Sequence, residues 1–305
     1  MTAEFDIAVV GGGLTGLMAA HHAALEGCSV VHYIGTGVPG GLVANIGALE
    51  GFPATGPISA LDLALRLTEE NQALGVEIVA EDVARLETSD RVLQLQTASG
   101  AHTARAVVAA TGARLRMLDV PGAPRLVDKG VSQCAWCNGS LYRGSEVVVV
   151  GGGDSALQEA LHLTKYAALV TIVTRSATLK ARRSLVDQAA SNERIAFRWE
   201  TEVVDILGDQ SVAAVRLSDR ATGGIDEMPC AGVFVYIGLQ PNSEWLEGHA
   251  KLDVQGHIVT NAALETSLSG LIAAGAVRSS YGGRLTQAVG EGTAAAMTAA
   301  RQVRA

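Results

Sequence analysis

Nowhere in the 305 residues does an apolar run approach the roughly 20 residues that a membrane-spanning helix needs. Mean hydropathy is positive, +0.26, only because alanine and valine are spread along the chain. The N-terminus lacks the basic stretch and following apolar run of a secretory signal. It enters a strand pattern, Phe5-Asp6-Ile7-Ala8-Val9-Val10, almost at once, and the expectation is a cytoplasmic protein. Cysteine is scarce: four thiols cannot build a secreted disulfide scaffold. Positive charge is in deficit, 23 Lys and Arg against 31 Asp and Glu, a net charge of −8. A mildly acidic chain is a poor candidate for nonspecific nucleic-acid binding, which needs a basic face. Proline is rare, 7 residues beside 35 glycines. The glycines follow no three-residue period, which excludes a collagen, and cluster instead in short runs. With 48% hydrophobic and 18% charged residues the chain builds real cores, and its length fits about two domains.

The chain repeats itself once. Asp6-Ile7-Ala8-Val9-Val10-Gly11-Gly12-Gly13-Leu14-Thr15-Gly16-Leu17 returns, 140 residues later, as Glu146-Val147-Val148-Val149-Val150-Gly151-Gly152-Gly153-Asp154-Ser155-Ala156-Leu157. Each copy is a buried-looking strand, a glycine turn and an Ala/Leu-rich helix. Each leads to another strand, Ser29–Ile34 in the first and Leu169–Thr174 in the second. Strand–turn–helix–strand, twice, predicts two dinucleotide folds.

The spacing has a physical reason. The first glycine permits the tight turn from strand to helix. The second lets backbone approach a pyrophosphate with no Cβ between them. The helix start then offers unpaired N–H groups and a positive dipole end. Gly11, Gly13 and Gly16 keep G-x-G-x-x-G intact, and Gly151, Gly153 and Ala156 give its accepted variant. One such turn is weak evidence, because glycines also serve packing. Two, both between strand and helix, are much stronger.

Other signals fall between and after the repeats. Arg105–Gly112 is a strand ending in Ala110-Thr111-Gly112, and Val233–Gly238 ends similarly before Pro241-Asn242. Val92–Gln96 with a turn at Ser99-Gly100 reads as part of a small β-meander. Gly270–Gly275 precedes an alanine-rich helix from about Thr286 to Ala300. Cys134 and Cys137 stand as C-x-x-C, a redox spacing in an intracellular α/β chain. The bland alternatives are two inert buried thiols or half a zinc site. The latter lacks a second C-x-x-C or a histidine pair nearby. Cys28 and Cys230 read as small core residues.

Taken in order, these features resemble the low-molecular-weight thioredoxin reductases over nearly the whole chain. Cys134-Ala135-Trp136-Cys137-Asn138-Gly139 is similar to that family's C-A-T-C-D-G. Gly151 to Ala156 resembles its NADPH turn. Gly40-Gly41-Leu42 and Glu50-Gly51-Phe52-Pro53 resemble its flavin segments G-G-Q-L and E-N-x-P-G. Placing the C-x-x-C inside the second nucleotide domain is specific to this group. The resemblance implies an α/β fold of two Rossmann-like domains, the second inserted into the first. It implies an FAD-binding part over 1–113 and 246–305, and an NAD(P)-binding part with the C-x-x-C over 114–245. It further implies a homodimer in which one domain rotates against the other. Electrons would pass between nicotinamide, flavin and the cysteines, Cys137 facing the flavin and Cys134 attacking a partner disulfide as thiolate. The cofactor residues carried over are Gly11, Gly13, Leu14, Thr15, Gly16, Gly40, Gly41, Leu42, Ala110, Thr111, Gly112, Gly275, Ala276, Gln287 and Ala288 for FAD. For NADPH they are Gly151, Gly153, Asp154, Ser155, Ala156, Arg175 and Lys180.

The departures matter as much. The family's proton-donating Asp after the second cysteine is Asn138, which does not titrate; water, His32 or His162 are the candidate substitutes. The terminal A-A-G-D has become Ala273-Ala274-Gly275-Ala276, removing one flavin hydrogen bond of about 1 kcal/mol. Leu42 replaces the Gln, Gly51 the Asn, and Thr286-Gln287-Ala288 the R-Q-A triplet. The arginine clamp for the 2′-phosphate is reduced to Arg175 and Lys180, with Arg182 and Arg183 beyond as a candidate surface pair. No acid stands at the strand end to hold an NADH ribose, which favours NADPH and leaves NADH possible. Trp136 is bulky enough to shield the dithiol, to stack on a small apolar substrate, or simply to pack.

Three functions follow. The first is an NAD(P)H-dependent flavoprotein acting on a disulfide- or dithiol-bearing substrate, either a thioredoxin-like protein or a small molecule. The second is an oxygen-using dithiol oxidase with a weakened nicotinamide site. The third is an electron-transfer or regulatory relative with a decayed flavin site.

Overall fold

The computed structural model describes residues 4–45, 58–89 and 92–305. The segment Glu50–Pro53, with Gly51, lies outside the described residues. The chain divides into two compact units, 1–114 with 240–305, and 115–239.

The first unit opens with strand β1 (Phe5–Val10), helix α1 (Leu14–Leu25) and strand β2 (Val30–Tyr33). Helix α2 (Ala60–Ala73) follows, its Asp62 N–H capped by Ser59 Oγ at 3.0 Å. Strands β3 (Glu77–Val79), β4 (Arg85–Ser89), β5 (Val92–Gln96) and β6 (Ala101–Ala109) complete the first passage. β1 lies between β2 and β6, parallel to both, and β3 adds parallel to β2. β4, β5 and β6 are antiparallel, the expected meander. Alternation along β1 sends Ile7 and Val9 to one core, with the alanines of α1, and Ala8 and Val10 to the other, with Tyr33 and Leu95. Each buried Val or Ile side chain contributes about 1.5–3 kcal/mol.

The chain leaves through β7 (Ala113–Leu115). In the second unit β8 (Val131–Ser132) precedes the four-residue helix α3 (Ala135–Asn138). Then come β9 (Glu146–Val150), α4 (Asp154–Leu163), β10 (Leu169–Val173), α5 (Arg183–Ala190) and β11 (Ile195–Arg198). The antiparallel strands β12 (Thr201–Leu207), β13 (Ala214–Asp219) and β14 (Ile225–Pro229) form a separate sheet before β15 (Gly232–Val235). The main sheet runs β11-β10-β9-β15-β8, all parallel. Val147 and Val149 pack on α4, while Val148 and Val150 pack on the antiparallel sheet.

The chain returns through β16 (Leu239–Pro241) to the first unit. β17 (Leu271–Ala273) joins β6 in parallel, and α6 (Leu285–Arg304) lies along α1. Gly292 makes that approach possible, since a Cβ there would stand 2.4 Å from the Thr15 carbonyl. The fold is therefore α/β with two Rossmann-like domains, the second inserted into the first. Among the described residues no helix is long and apolar enough to cross a membrane. Cys230 is buried in the second unit's core, and Cys28 is half-buried at the edge of the first.

Candidate functional site

In the first unit, the turn from β1 to α1 opens onto a cavity of about 750 Å³. Gly11 has φ +124°, and a Cβ on it would lie 2.2 Å from the Ala110 carbonyl oxygen. Only glycine fits there. Gly13 is the opposite case: nothing stands within 4 Å of its would-be Cβ. Its φ of −73° suits any residue, so its bare Cα matters only to whatever enters the cavity. Gly40 donates its N–H to the Gly12 carbonyl at 2.8 Å, which seats Gly40, Gly41 and Leu42 against the turn. Leu14, Thr15, Ala110, Thr111, Gly112, Ala276 and Ala288 also line the cavity.

Two long helices begin on this wall, α1 and α6. Neither has a side-chain cap or an acid in its first turn. Their N–H groups and positive dipole ends are left for an anion. This donor set, with a bare Gly13 and a long cavity, fits the pyrophosphate and flanking groups of a dinucleotide.

Three of the expected residues act from behind the wall. Gly16 lies under the turn, where a Cβ would fall 1.9 Å from the Gly11 carbonyl oxygen. Gly275 sits against Thr15, 2.6 Å from its Oγ1 to a would-be Cβ, and gives its N–H to Glu291 at 2.7 Å. Gln287 uses its amide on the Gly282 N–H and on Glu291. Glu291 itself holds Arg278 through two hydrogen bonds, 2.7 and 2.9 Å, both side chains nearly buried. Burial alone would push the Glu291 carboxyl up. Hydrogen bonds from Arg278, Gly275 and Gln287 outweigh it and hold the carboxyl below its ordinary range.

His32 is fully buried beneath the same turn, and its Nε2–H donates to the Gly11 carbonyl at 2.9 Å. Burial lowers its pKa to about 4, against that hydrogen bond. It is a neutral imidazole bracing the turn, not an acid poised near neutrality.

Sequence reasoning missed several wall residues. Asn242 accepts Thr111 Oγ1–H on its carbonyl at 2.6 Å and returns Nδ2–H to the Thr111 carbonyl at 2.9 Å. It also takes Arg114 at 2.8 Å. Asp82 accepts from Thr36 Oγ1 at 3.2 Å, placing a carboxylate on the wall beside Gly35. The Pro241-Asn242 dipeptide was the only local signal for any of these.

In the second unit Gly151 repeats the Gly11 arrangement. Its φ is +145°, and a Cβ would stand 2.3 Å from the Tyr236 carbonyl oxygen. Gly153 again faces open space, Ser155 is exposed at the start of α4, and Ala156 is buried beneath it. Lys180 donates its N–H to the Gly152 carbonyl at 2.8 Å, folding the segment after β10 over the turn. Arg175 is exposed at the end of β10. Asp154 puts an acid in the first turn of α4, and Arg182 neutralises it through Nε and its backbone N–H, both at 2.7 Å. Arg182 is therefore tied to the turn, while Arg183 pairs with Asp187 at 2.8 Å on α5.

Cys134 and Cys137 are joined as a disulfide, Cα atoms 5.3 Å apart, at either side of the first turn of α3. The Cys137 N–H points at Cys134 Sγ, 3.1 Å away. Ser132 Oγ accepts the Cys134 N–H and the Asn138 Nδ2–H, each at 3.1 Å. Asn138 thus clamps the loop through a neutral amide. Trp136 is 55% exposed. It stacks on His162 with ring centres 3.8 Å apart, and the Lys165 ammonium lies 5.4 Å from its ring. Burial, then the Lys165 charge, lower the His162 pKa.

This arrangement has counterparts among known proteins. A family model described as pyridine nucleotide-disulphide oxidoreductase matches residues 5–300. The thioredoxin reductase of Treponema pallidum is 35% identical over 304 residues, covering 99% of this chain and 98% of that one. That of Bacillus subtilis is 35% identical over 295 residues, covering 96% and 93%. Among solved structures, the thioredoxin reductase of Lactococcus lactis aligns with a TM-score of 0.93 at 32% identity over 99% of both chains. Two dinucleotide folds, the disulfide on the second and a match along nearly the whole length lead to one conclusion: the chain belongs to the pyridine nucleotide-disulphide oxidoreductase family, as a disulfide oxidoreductase of the thioredoxin-reductase type.

Proposed function

We propose that the chain passes electrons from NADPH, through FAD held in the first unit, to the Cys134–Cys137 disulfide and on to the disulfide of a thioredoxin-like partner. A bound flavin would supply the two-electron relay between nicotinamide and disulfide. Gly13, Leu14 and Thr15 at the start of α1, and Leu285 and Ala288 at the start of α6, would hold its phosphates and neighbouring polar groups through backbone donors. Ala276 offers no carboxylate there, so that wall contributes backbone alone. Gly153 and the start of α4 would receive the nucleotide's pyrophosphate, with Arg182 cancelling Asp154. Arg175 and Lys180 would meet a 2′-phosphate.

Once reduced, Cys134 is the better thiolate, because the Cys137 N–H already points at its sulfur. It attacks the partner disulfide, forming a mixed disulfide and releasing one partner thiolate. The Cys137 thiolate then displaces the second, restoring Cys134–Cys137. The observation that carries this reading is the C-x-x-C disulfide standing on the second dinucleotide fold. The experiment is NADPH-dependent reduction of thioredoxin by wild type and by Cys137→Ser. The variant loses turnover at least a thousandfold, on the order expected for removing a covalent participant; a fully active variant overturns the mechanism.

A further inference from the structure

Helix α4 carries a half-buried carboxyl that neither nucleotide binding nor the exchange chemistry uses. Glu159 lies on α4, two turns below Gly153, and packs under α3. Its Oε2 accepts the Ala135 N–H at 3.2 Å and the Tyr236 O–H at 3.3 Å. The Tyr236 oxygen in turn accepts the same Ala135 N–H at 3.1 Å. That N–H belongs to the peptide leaving Cys134, so the carboxyl is hydrogen-bonded one peptide away from the dithiol. Three segments meet at this point: α3 at Ala135, α4 at Glu159 and the end of β15 at Tyr236.

We propose that Glu159 is a positioning residue of the dithiol, fixing the Cys134–Ala135 peptide with Tyr236 and, when ionised, opposing a thiolate at Cys134. This rests on the reading of Cys134 and Cys137 as an exchanging pair. Covalent geometry keeps Cys134 Sγ within roughly 5 Å of the Ala135 nitrogen, itself 3.2 Å from Glu159 Oε2, so two negative charges would stand no more than about 8 Å apart. The neighbouring cation Lys165 lies against the Trp136 ring and is not among the groups that act on Glu159. Among the described residues Glu159 has no ion pair. Asn138 on α3 is neutral, and Arg183 and Asp187 on α5 pair with each other. Glu146 starts the far end of β9, Tyr142 follows α3, and His162 stacks on Trp136. Burial pushes the Glu159 carboxyl up, in the direction that brings its titration towards that of the thiol.

The test is site-resolved alkylation of the full-length chain. The protein is reduced with dithiothreitol and treated with iodoacetamide between pH 5 and pH 9.5. Modification of Cys134 and of Cys137 is then counted separately by peptide mass spectrometry. In wild type the Cys134 rate rises with pH less steeply than a single titration. In Glu159→Gln, which keeps an acceptor for Ala135 and Tyr236, the midpoint falls by about one pH unit, the size of one nearby like charge. Reclosure of the disulfide in oxidised dithiothreitol confirms that the variant is folded. A single-titration profile in wild type, or the same Cys134 midpoint in a reclosing Glu159→Gln, overturns the proposal. A wild-type chain that yields no pair of alkylatable thiols overturns the dithiol reading, and the proposal with it.

Discussion

Gly13→Ala separates a glycine kept for a ligand from one kept for the fold. The residue has φ −73° and ψ 170°, ordinary extended backbone, and its added methyl would meet nothing within 4 Å. Losing a glycine from the unfolded chain stabilises by about 0.4–1 kcal/mol. Alanine is a poorer N-cap than glycine by a comparable few tenths to 1 kcal/mol. The two nearly cancel, so flavin-free Gly13→Ala should melt with wild type. Gly13 lines the cavity beside Leu14 and Thr15, and its methyl would stand in open space, where a bound pyrophosphate would meet it. Losing one charge-assisted hydrogen bond there costs about 1.5–3 kcal/mol, roughly a ten- to hundredfold weaker flavin. Gly11→Ala is the contrast: φ +124° and 2.2 Å to the Ala110 carbonyl oxygen mean that it fails to fold whether or not flavin is present. The assay pairs thermal unfolding of stripped protein with a flavin titration followed at its visible band. Wild-type flavin affinity in Gly13→Ala, or a flavin-free Gly13→Ala that fails to fold as Gly11→Ala does, refutes the reasoning.

Other outcomes follow from the same geometry. His32 has a folded pKa of about 4 against 6.5 for a free side chain, so between those values the unfolded chain binds the extra proton. Stability from this group is present above pH 6.5 and lost as pH falls, about 2 kcal/mol by pH 5; urea unfolding at pH 7 and pH 5, compared with His32→Leu, reads the slope, and equal slopes would remove His32 as its source. Glu291→Ala leaves Arg278 buried without its partner and should cost about 3–5 kcal/mol; an unchanged melting temperature contradicts this. Arg175→Ala should raise KM for NADPH about tenfold with little change for NADH; parallel changes for both nucleotides would place Arg175 away from the 2′-phosphate.

What could be read from sequence was local. Gly11 and Gly151 announce themselves because a strand, a turn and a helix start lie within a dozen residues. The C-x-x-C likewise states its own spacing. The supports were not legible, because each joins distant segments. Thr15 meets Gly275 only once β17 has joined β6, and Gly292 only once α6 lies on α1. Arg182 reads as half of an exposed pair until the segment after β10 folds back onto Asp154. His32 sits in a strand whose pattern marks it as buried, but nothing nearby says that the Gly11 carbonyl is its partner. Glu159 and Tyr236 are 77 residues apart, and neither neighbours a cysteine in sequence. The missing Asp after Cys137 was visible at once. That Asn138 takes a structural bond to Ser132 instead required the fold.

The most direct measurement is the visible absorption spectrum of the purified chain through an anaerobic NADPH addition. The account predicts a flavin band at one per chain that bleaches, with two thiols, those of Cys134 and Cys137, becoming titratable. A flavin band that NADPH leaves unchanged would contradict the nicotinamide route, and a chain that takes up no flavin would contradict the account at its centre.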